Sequence, residues 1–224
     1  MVFAREPRLG TVKRRLARSL GDRAALRLYR RMLAAVLRRL AADRRFRTVV
    51  AVTPDRAAGP WLGRLPATGQ GRGGLDRRMA GVFRRWPHGR VAIVGSDIPG
   101  LLAGDVAQAF KRLGRVQAAF GPAQDGGYWL VAMGPRRPAT PFAHVRWSSE
   151  WALADTLANF AGRRTALLRV LSDVDTADDL RSARLEVLLQ PRHQLDQVAG
   201  AVAGVELPDQ DVVPGVLHRP GAAG

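Results

Sequence analysis

Carboxylates stand at three places in this 224-residue sequence where a short apolar run gives way to a polar loop. Asp97 follows the run VAIV in GSDIPG, and Asp175 lies in LSDVDTADDL, where a strand is expected to pass into a helix. Carboxylate oxygens are the ligands that hard divalent cations prefer. The two acids could therefore hold one Mg²⁺ or Mn²⁺ ion if the fold brings them together. The alternative for each is a structural role, in which the acid caps a turn or a helix.

The third carboxylate, Asp125, belongs to GPAQDGGYWL, between two apolar runs that are typical of strands. Asp-Gly and Gly-Gly pairs favour hairpin turns, so Asp125, Gly126 and Gly127 could simply reverse the chain. Glycine also lets the backbone approach a ligand closely, and an adjacent acid could then face that ligand. The residues alone leave both interpretations open.

Cations gather where the first predicted strand ends. Arg5, Lys13 and Arg15 lie in AREPRLGTVKRRL, around the expected start of a helix at Thr11. Amide groups at a helix N-terminus, together with cations, can bind phosphate. The stretch does not have the spacing of a P-loop. It predicts a phosphate-binding segment of a different kind.

Two other patterns carry little weight. GQGRGG matches the glycine spacing of a dinucleotide-binding loop, but that loop must follow a strand, and Gly- and Pro-rich residues 57–73 predict a loop there. The four histidines have no metal-ligand spacing. Cysteine is absent, which excludes disulfides and zinc-thiolate sites.

The net charge of +17 would suit a nucleic-acid-binding protein. Lys13 and Lys111 are the only lysines, however, and the many arginines alternate with apolar residues as on a solvated helix face. Aromatic residues are few and do not interleave with the basic runs, so no specific nucleic-acid partner is expected. Neither a secretory leader nor a membrane-spanning run is recognisable, and a cytoplasmic protein is predicted. Nothing in the sequence indicates the oligomeric state.

Apolar runs alternate with helical patterns along the chain. Strands are predicted at 1–4, 48–52, 91–94, 116–120, 128–133 and 167–171, and helices at 11–20, 75–85, 103–113, 150–161, 177–189 and from Asp22 onward. The helix from Asp22 is expected to be capped by Asp22 and to have one apolar face formed by Ala25, Tyr29, Met32, Val36 and Leu40. This alternation predicts an α/β fold with a mostly parallel sheet covered on both faces. Ligands of such folds bind beyond the carboxyl ends of the strands. Residues 1–190 are expected to form one domain, and the proline-rich residues 191–224 a weakly ordered extension.

Several blocks, in order over some four-fifths of the chain, carry a resemblance to a known family: FAREPRLGTVKRRL, LGDRAALRLYRRML, QGRGGLDRRM, IVGSDIPGL, FGPAQDGGYWLVAM, VRWSS and DVDTADDL. The chain resembles the bacterial glycosyltransferase family of the GT-A fold that is associated with arsenosugar biosynthesis. The resemblance implies a three-layer α/β/α nucleotide-diphospho-sugar transferase fold. It also implies a nucleotide-sugar donor, a small-molecule acceptor and a divalent metal, Mg or Mn, as cofactor.

The resemblance also implies roles for particular residues. Lys13 and Arg15, with Arg5, would bind the donor's phosphates, and Gln70 lies in a loop that would recognise the donor. Asp97 would be the metal-binding and catalytic acid, and Asp175 the second metal ligand. Asp125, Gly126 and Gly127 would face the reacting sugar or the acceptor, with Asp125 binding hydroxyls or acting as a base.

The chain departs from the family's pattern in the Gln70 loop, where Gly74 replaces an aspartate and Asp76 a glycine. Two alternatives to the glycosyltransferase therefore remain open at this stage. One is a guanylyltransferase-like nucleotidyltransferase acting on a phosphorylated small molecule, which would use the same metal. The other is a catalytically drifted, basic binding protein.

Overall fold

The computed structural model describes residues 1–182, and the expected extension at 191–224 lies outside them. The strands are β1 Val2–Arg5, β2 Val50–Thr53, β3 Ala67–Gly69, β4 Val91–Val94, β5 Ala118–Pro122, β6 Tyr128–Met133 and β7 Thr165–Leu167. The α-helices are α1 Arg14–Leu20, α2 Asp22–Ala41, α3 Leu75–Arg85, α4 Ala103–Arg112, α5 Ala152–Ala158 and α6 Ala177–Ser182. A single 3₁₀ turn spans Pro60–Leu62.

The described strands form one sheet in the order β3-β2-β1-β4-β6-β5-β7. β6 runs antiparallel to both of its neighbours, β4 and β5, and the other pairs are parallel. The predicted mostly parallel sheet is therefore confirmed. In the part of the chain described, no helix has the length and apolar character needed to cross a membrane.

Both faces of the sheet are covered, which explains why its strands are apolar at successive positions. On β4, Ala92 and Val94 pack into a cluster with residues of α2 and α4 on one face. Val91 and Ile93 point to the other face and pack with residues of α3 and with Phe142 and Phe160. Successive side chains of a strand alternate between faces, so both registers must be apolar. This is the three-layer α/β/α arrangement.

The long helix α2 follows its predicted apolar face closely. Ala25, Tyr29, Met32, Val36 and Leu40 are all buried, as the helical spacing requires. The predicted cap is wrong, because Gly21 precedes the helix, Asp22 is its first residue, and no side chain caps it.

The first helix also begins later than predicted, at Arg14 instead of Thr11. Lys13 has left-handed backbone angles, φ 47° and ψ 49°, which a right-handed helix cannot contain. Thr11 Oγ1 instead bonds the Arg8 carbonyl in the preceding turn.

The segment 57–73 was expected to be a loop, and this is wrong at its end. Residues Ala67–Gly69 form β3, a three-residue edge strand paired with β2. An edge strand pairs with a neighbour on one side only and needs few apolar residues. The surrounding glycines and prolines therefore predicted a loop. The glycine-rich loop therefore does follow a strand and lead into helix α3.

The last strand, β7, lies at Thr165–Leu167 rather than 167–171. Beyond it the chain continues beside the end of β5, where Ala123 and Leu171 form an isolated parallel bridge. Strand-like spacing extends through this region, but regular pairing with β5 ends at Leu167. The segment after β7 therefore leads to Asp173 and Asp175 at the carboxyl end of the sheet.

Gly126 offers a test of how tightly the turn between β5 and β6 is packed. Its φ is +82°, and a Cβ added there would lie 2.1 Å from the Glu150 carbonyl oxygen. Gly162, at φ +70°, would meet nothing within 4 Å. We expect Gly126→Ala to lower the free energy of unfolding by about 3–5 kcal/mol, through strain and overpacking, and Gly162→Ala by about 1 kcal/mol. Urea denaturation of both variants measures the difference. Equal losses would contradict this packing.

Candidate functional site

A cleft of about 960 Å³ opens at the carboxyl ends of β1, β2 and β4. We call it the polar cleft. It gathers seven of the residues that the sequence analysis singled out: Arg5, Lys13, Arg15, Gln70, Asp97, Asp125 and Asp175. These residues come from distant parts of the chain, so their meeting reflects the fold. The other two, Gly126 and Gly127, do not line this cleft.

The centre of the cleft is an ion-paired cluster around Lys13. Its Nζ lies 2.7 Å from Asp97 Oδ2 and 2.6 Å from Asp175 Oδ1. Only 5% of the Lys13 side chain is exposed. Burial by itself lowers the pKa of Lys13, but the two carboxylates outweigh it and the net pKa is raised. Lys13 is therefore a permanent cation between the two predicted metal ligands.

The backbone holds the Lys13 ammonium in this place. Lys13 has left-handed backbone angles, and Val12 before it and Leu16 after it in the chain have buried side chains. For a residue other than glycine this conformation costs about 1–2 kcal/mol and is sustained only where packing enforces it. Sequence could not predict this turn, because nothing in VKRRL requires a positive φ.

Asp175 is brought to Asp97 by contacts between their backbones and by a separate cap for α6. The Val174 amide donates to the Asp97 carbonyl oxygen at 3.3 Å. Thr176 Oγ1 accepts from the Asp179 amide, and Asp179 Oδ2 accepts from the amides of Asp175 and Thr176. This reciprocal pattern is a capping box. The capping role predicted as the alternative falls to Thr176 and Asp179, which leaves the Asp175 carboxylate to the cleft.

Asp173 is a third acid that the sequence analysis did not select. Oxygen atoms of Asp97, Asp173 and Asp175 all lie within 4.8 Å of one another. Burial, followed by the charges of Asp175, Asp97 and Asp125, raises the pKa of Asp173 to about 6. The signal that could have found it is the spacing in DVD: two residues apart in an extended segment, the acids share one side while Val174 is buried on the other.

The cluster fits a divalent cation by its chemistry. Three carboxylates supply hard oxygen ligands of the kind that Mg²⁺ and Mn²⁺ take. Asp97, Asp173 and Asp175 are the residues that would hold such an ion. Two of them are bonded to Lys13, so an ion and the ammonium would compete for the same oxygens.

Arg5 reaches the cleft from the end of β1. Its guanidinium donates to the Thr11 carbonyl oxygen at 3.2 Å. Its backbone is tied to helix α2, because the Arg5 amide donates to Tyr29 Oη and Tyr29 Oη donates to the Arg5 carbonyl oxygen. Burial raises the pKa of Tyr29, which keeps this phenol protonated. Arg5 and exposed Arg15 thus present cations at the rim, as predicted for phosphate binding.

Gln70 serves the cleft from a buried position. Its amide nitrogen donates to the carbonyl oxygens of Ala4 and Ala51, and its Oε1 accepts from Arg78 at 2.8 Å. Gln70 is 3% exposed, so it ties β1 and β2 together and orients Arg78. Burial lowers the pKa of Arg78, and the nearby charge of Arg5 lowers it further. Arg78, in helix α3, is a charged residue that lines the cleft and that the sequence analysis missed.

The altered positions 74 and 76 face each other at the start of α3. A Cβ built on Gly74 would lie 2.4 Å from Asp76 Oδ1. The Asp76 carboxylate therefore fills the space that a side chain at position 74 would occupy. The exchange of residue types keeps a carboxylate at the same point of the loop.

Asp125 takes part in the turn that its sequence allowed and also lines the cleft, while its contact with a ligand stays a prediction. β5 and β6 form an antiparallel hairpin, and Asp125 Oδ1 accepts from the Gly127 amide at 2.9 Å within the turn. Asp125 also lines the polar cleft. Gly126 packs against the backbone of Glu150, and its carbonyl oxygen accepts from the Leu153 amide at 3.0 Å. The glycines form the turn, and the acid faces the cleft.

The raised pKa of Asp173 predicts how stability depends on pH in metal-free buffer. A carboxyl with a folded pKa of about 6 and an ordinary value of 3.8 favours the folded state while protonated. This contribution is lost as the pH rises from about 4 to about 6. We expect Asp173→Asn to be more stable than the parent protein by about 1–2 kcal/mol at pH 7, allowing for partial exposure, and by much less at pH 4.

Chemical denaturation at the two pH values, with a chelator present, tests this expectation. Asp178→Asn is the matched control, since the Asp178 side chain is 83% exposed, and it should show no comparable pH-dependent gain. If Asp173→Asn were less stable than the parent at pH 7, the charge crowding described here would be wrong.

Comparisons with solved structures concern the fold. A "putative nucleotide-diphospho-sugar transferase" from Desulfovibrio desulfuricans G20 is 27% identical, with a TM-score of 0.75 over 90% of this chain and 95% of that chain. Molybdopterin-guanine dinucleotide biosynthesis protein A from Archaeoglobus fulgidus is 13% identical over 92% of this chain and all of that chain, with a TM-score of 0.45, too low to support an inference. No curated protein matches the sequence.

The sequence itself matches one family over just over half of its length. Residues 36–149 match DUF2064, a family described as uncharacterized proteins conserved in bacteria. The fold is that of the nucleotide-diphospho-sugar transferases, as the sequence analysis expected, while the association with arsenosugars stays a prediction. The chain belongs to the DUF2064 family.

Proposed function

We propose that this protein is a metal-dependent glycosyltransferase that uses a nucleotide-diphospho-sugar donor. The observation that carries the proposal is the Asp97–Lys13–Asp175 cluster at the carboxyl end of the sheet, bordered by Arg5, Arg15 and Arg78. Carboxylates able to hold a cation and guanidinium groups beside them are the two features that a diphosphate requires. The name and fold of the Desulfovibrio protein support the same activity.

We assign the donor's diphosphate to the polar cleft because of the positively charged side chains there. Arg5, Arg15 and Arg78 lie on the side of the cleft formed by β1, α1 and α3. Guanidinium groups donate paired hydrogen bonds to phosphate oxygens, which fixes the orientation of the group they hold. A divalent cation held by Asp97, Asp173 and Asp175 would supply further charge neutralisation when bound. Lys13, once free of a carboxylate, would place its ammonium within the same cleft.

In the transfer step the acceptor's hydroxyl oxygen forms a bond to the anomeric carbon of the sugar. The bond from that carbon to the diphosphate oxygen breaks, and the nucleoside diphosphate leaves with the electron pair. Asp125 is positioned to accept the hydroxyl proton, because its carboxylate lies on the cleft wall. The guanidinium groups stabilise the negative charge that develops on the leaving group.

Ligand binding gives the first test of this function. We expect one nucleotide sugar from a panel to raise the melting temperature only when Mn²⁺ or Mg²⁺ is present. At 100 times its dissociation constant it should add about 2.7 kcal/mol of stability. Asp97→Asn should abolish the effect, whereas Asp43→Asn, which removes a surface ion pair with Arg45, should leave it intact.

The same panel separates the alternatives. Release of pyrophosphate from a nucleoside triphosphate would show a nucleotidyltransferase instead. Stabilisation by RNA or DNA that weakens steeply with salt, with no response to nucleotides, would show a basic binding protein. Either result would overturn the glycosyltransferase proposal.

Because Lys13 and a metal ion would compete for the same carboxylates, we expect the loss of Lys13 to strengthen metal binding. Lys13→Met removes the cation that bonds Asp97 and Asp175, so Mn²⁺ alone should bind about tenfold more tightly than to the parent protein, a difference of about 1.4 kcal/mol. The metal-free variant should also be less stable, because its carboxylates repel one another without a counter-charge. Calorimetric titration with Mn²⁺ measures the affinity.

Arg14→Met is the control, since Arg14 is exposed on the same cleft and is the next residue in the chain. It should leave the Mn²⁺ affinity nearly unchanged. Unaltered Mn²⁺ affinity in Lys13→Met would place the ion elsewhere and remove the metal from the proposal.

A further inference from the structure

A second compartment opens beside the polar cleft. This apolar pocket has a volume of about 230 Å³ and shares Asp97 and Asp125 with the polar cleft. Its walls come from the sheet, from α3 and from the segment before α5, and include Phe3, Leu75, Met79, Ile93, Tyr128 and Trp147. Phe3, Leu75, Gly95, Ser148 and Ser149 also line both compartments, so the two adjoin along a common wall, and the apolar pocket continues from it into a largely hydrocarbon lining.

Two polar atoms in the pocket's aromatic wall have partners within the protein. Trp129 Nε1 donates to the Arg169 carbonyl oxygen at 3.2 Å. Thr156 Oγ1 lies 3.4 Å from Tyr128 Oη as a hydrogen-bond donor. Thr156 is fully buried, so this contact draws the phenol oxygen into the core. A polyhydroxylated ligand would lose its hydrogen bonds to water here and find few replacements.

The segment that closes the pocket is held rigidly. The Arg146 guanidinium and backbone amide donate to the Asp155 carboxylate at 2.8–2.9 Å. The Trp147 ring packs edge-on against Tyr128, with centroids 6.2 Å apart. Ser148 has a positive φ of 60°, which turns the chain at the pocket mouth. A wall fixed in this way is pre-formed for a ligand rather than collapsed onto itself.

Acidic groups lie at the end of the pocket that adjoins the polar cleft, since Asp97 and Asp125 line both compartments. Asp125 and Asp173 both line it, and the charge of Asp125 acts on Asp173. A hydroxyl placed at this end could donate to a carboxylate, while an apolar body would fill the space between Leu75, Ile93 and Trp147. A negatively charged ligand would be repelled by the same carboxylates.

From this arrangement we infer that the apolar pocket binds the acceptor, and that the acceptor is a neutral hydroxyl compound with a compact apolar body rather than a free sugar. That the ligand is an acceptor rests on the proposed transferase function. The chemical class of the ligand rests on the pocket alone. Its volume lies below the roughly 300–1,000 Å³ of sites for drug-sized ligands, which limits the body to about one ring.

Benzyl alcohol and glucose are suitable probes, because both carry a hydroxymethyl group on a six-membered ring but differ in the polarity of the ring. Saturation-transfer NMR and titration with the full-length protein should show millimolar binding of benzyl alcohol and none of glucose. Trp147→Ala should weaken benzyl alcohol at least fivefold. Trp151→Ala is the matched control, since Trp151 is 48% exposed and does not line the pocket, and it should bind benzyl alcohol like the parent protein.

A second variant keeps the test decisive if Trp147→Ala folds poorly. Leu75→Gln, at the first turn of α3, places an amide in the pocket and should also weaken benzyl alcohol severalfold. Binding of glucose that is lost in Leu75→Gln or Trp147→Ala would overturn the inference. So would binding of benzyl alcohol that neither variant affects.

The outcome is independent of the donor experiment. Benzyl alcohol reports on the apolar pocket without nucleotide or metal, whereas the nucleotide-sugar panel reports on the polar cleft through Asp97. Pocket binding without any nucleotide-sugar response would sustain the ligand class and remove the transferase. Nucleotide-sugar binding with a pocket that takes glucose would sustain the transferase and remove the apolar acceptor.

Discussion

The Lys13 ammonium between Asp97 and Asp175 is the interaction on which the rest of the site depends. Without a cation, three carboxylates within 4.8 Å of one another would repel strongly in a partly buried place. With it, the segments after β1, after β4 and before α6 are tied to a single point. Removing one partner leaves the others uncompensated, at a cost below the about 3–5 kcal/mol of a fully buried pair, because Asp97 and Asp175 are 31% and 40% exposed. The cluster is thus a structural centre, and under the proposed function it is also where a metal ion would replace the ammonium.

The fold places this cluster by simple rules that the sequence already contains. Ligand-facing residues follow the carboxyl ends of the parallel strands, and this predicted Asp97, Asp175 and the cations after β1 together. Their side-chain contacts were beyond prediction because they depend on the left-handed turn at Lys13. Asp173 was overlooked although its spacing from Asp175 in an extended segment signalled it. Edge strand β3 was hidden by its glycines and its length of three residues.

Two residues of the polar cleft, Asp125 and Gln70, also make structural hydrogen bonds. Asp125 is part of a hairpin turn and also faces the cleft. Gln70 bonds two strands and orients the charged Arg78 toward the same cleft. A residue's structural hydrogen bonds therefore say little about whether it takes part in binding. These hydrogen bonds hold the charged groups of the site in fixed positions.

The most direct test of the account is a crystal structure with Mn²⁺ and a nucleotide sugar, with the metal located by its anomalous scattering. The account predicts one peak coordinated by carboxylate oxygens of Asp97 and Asp175, with the Lys13 ammonium moved from these carboxylates to a phosphate oxygen of the donor. A peak away from these acids, or Lys13 still bonded to both carboxylates in the ligand-bound protein, would contradict it.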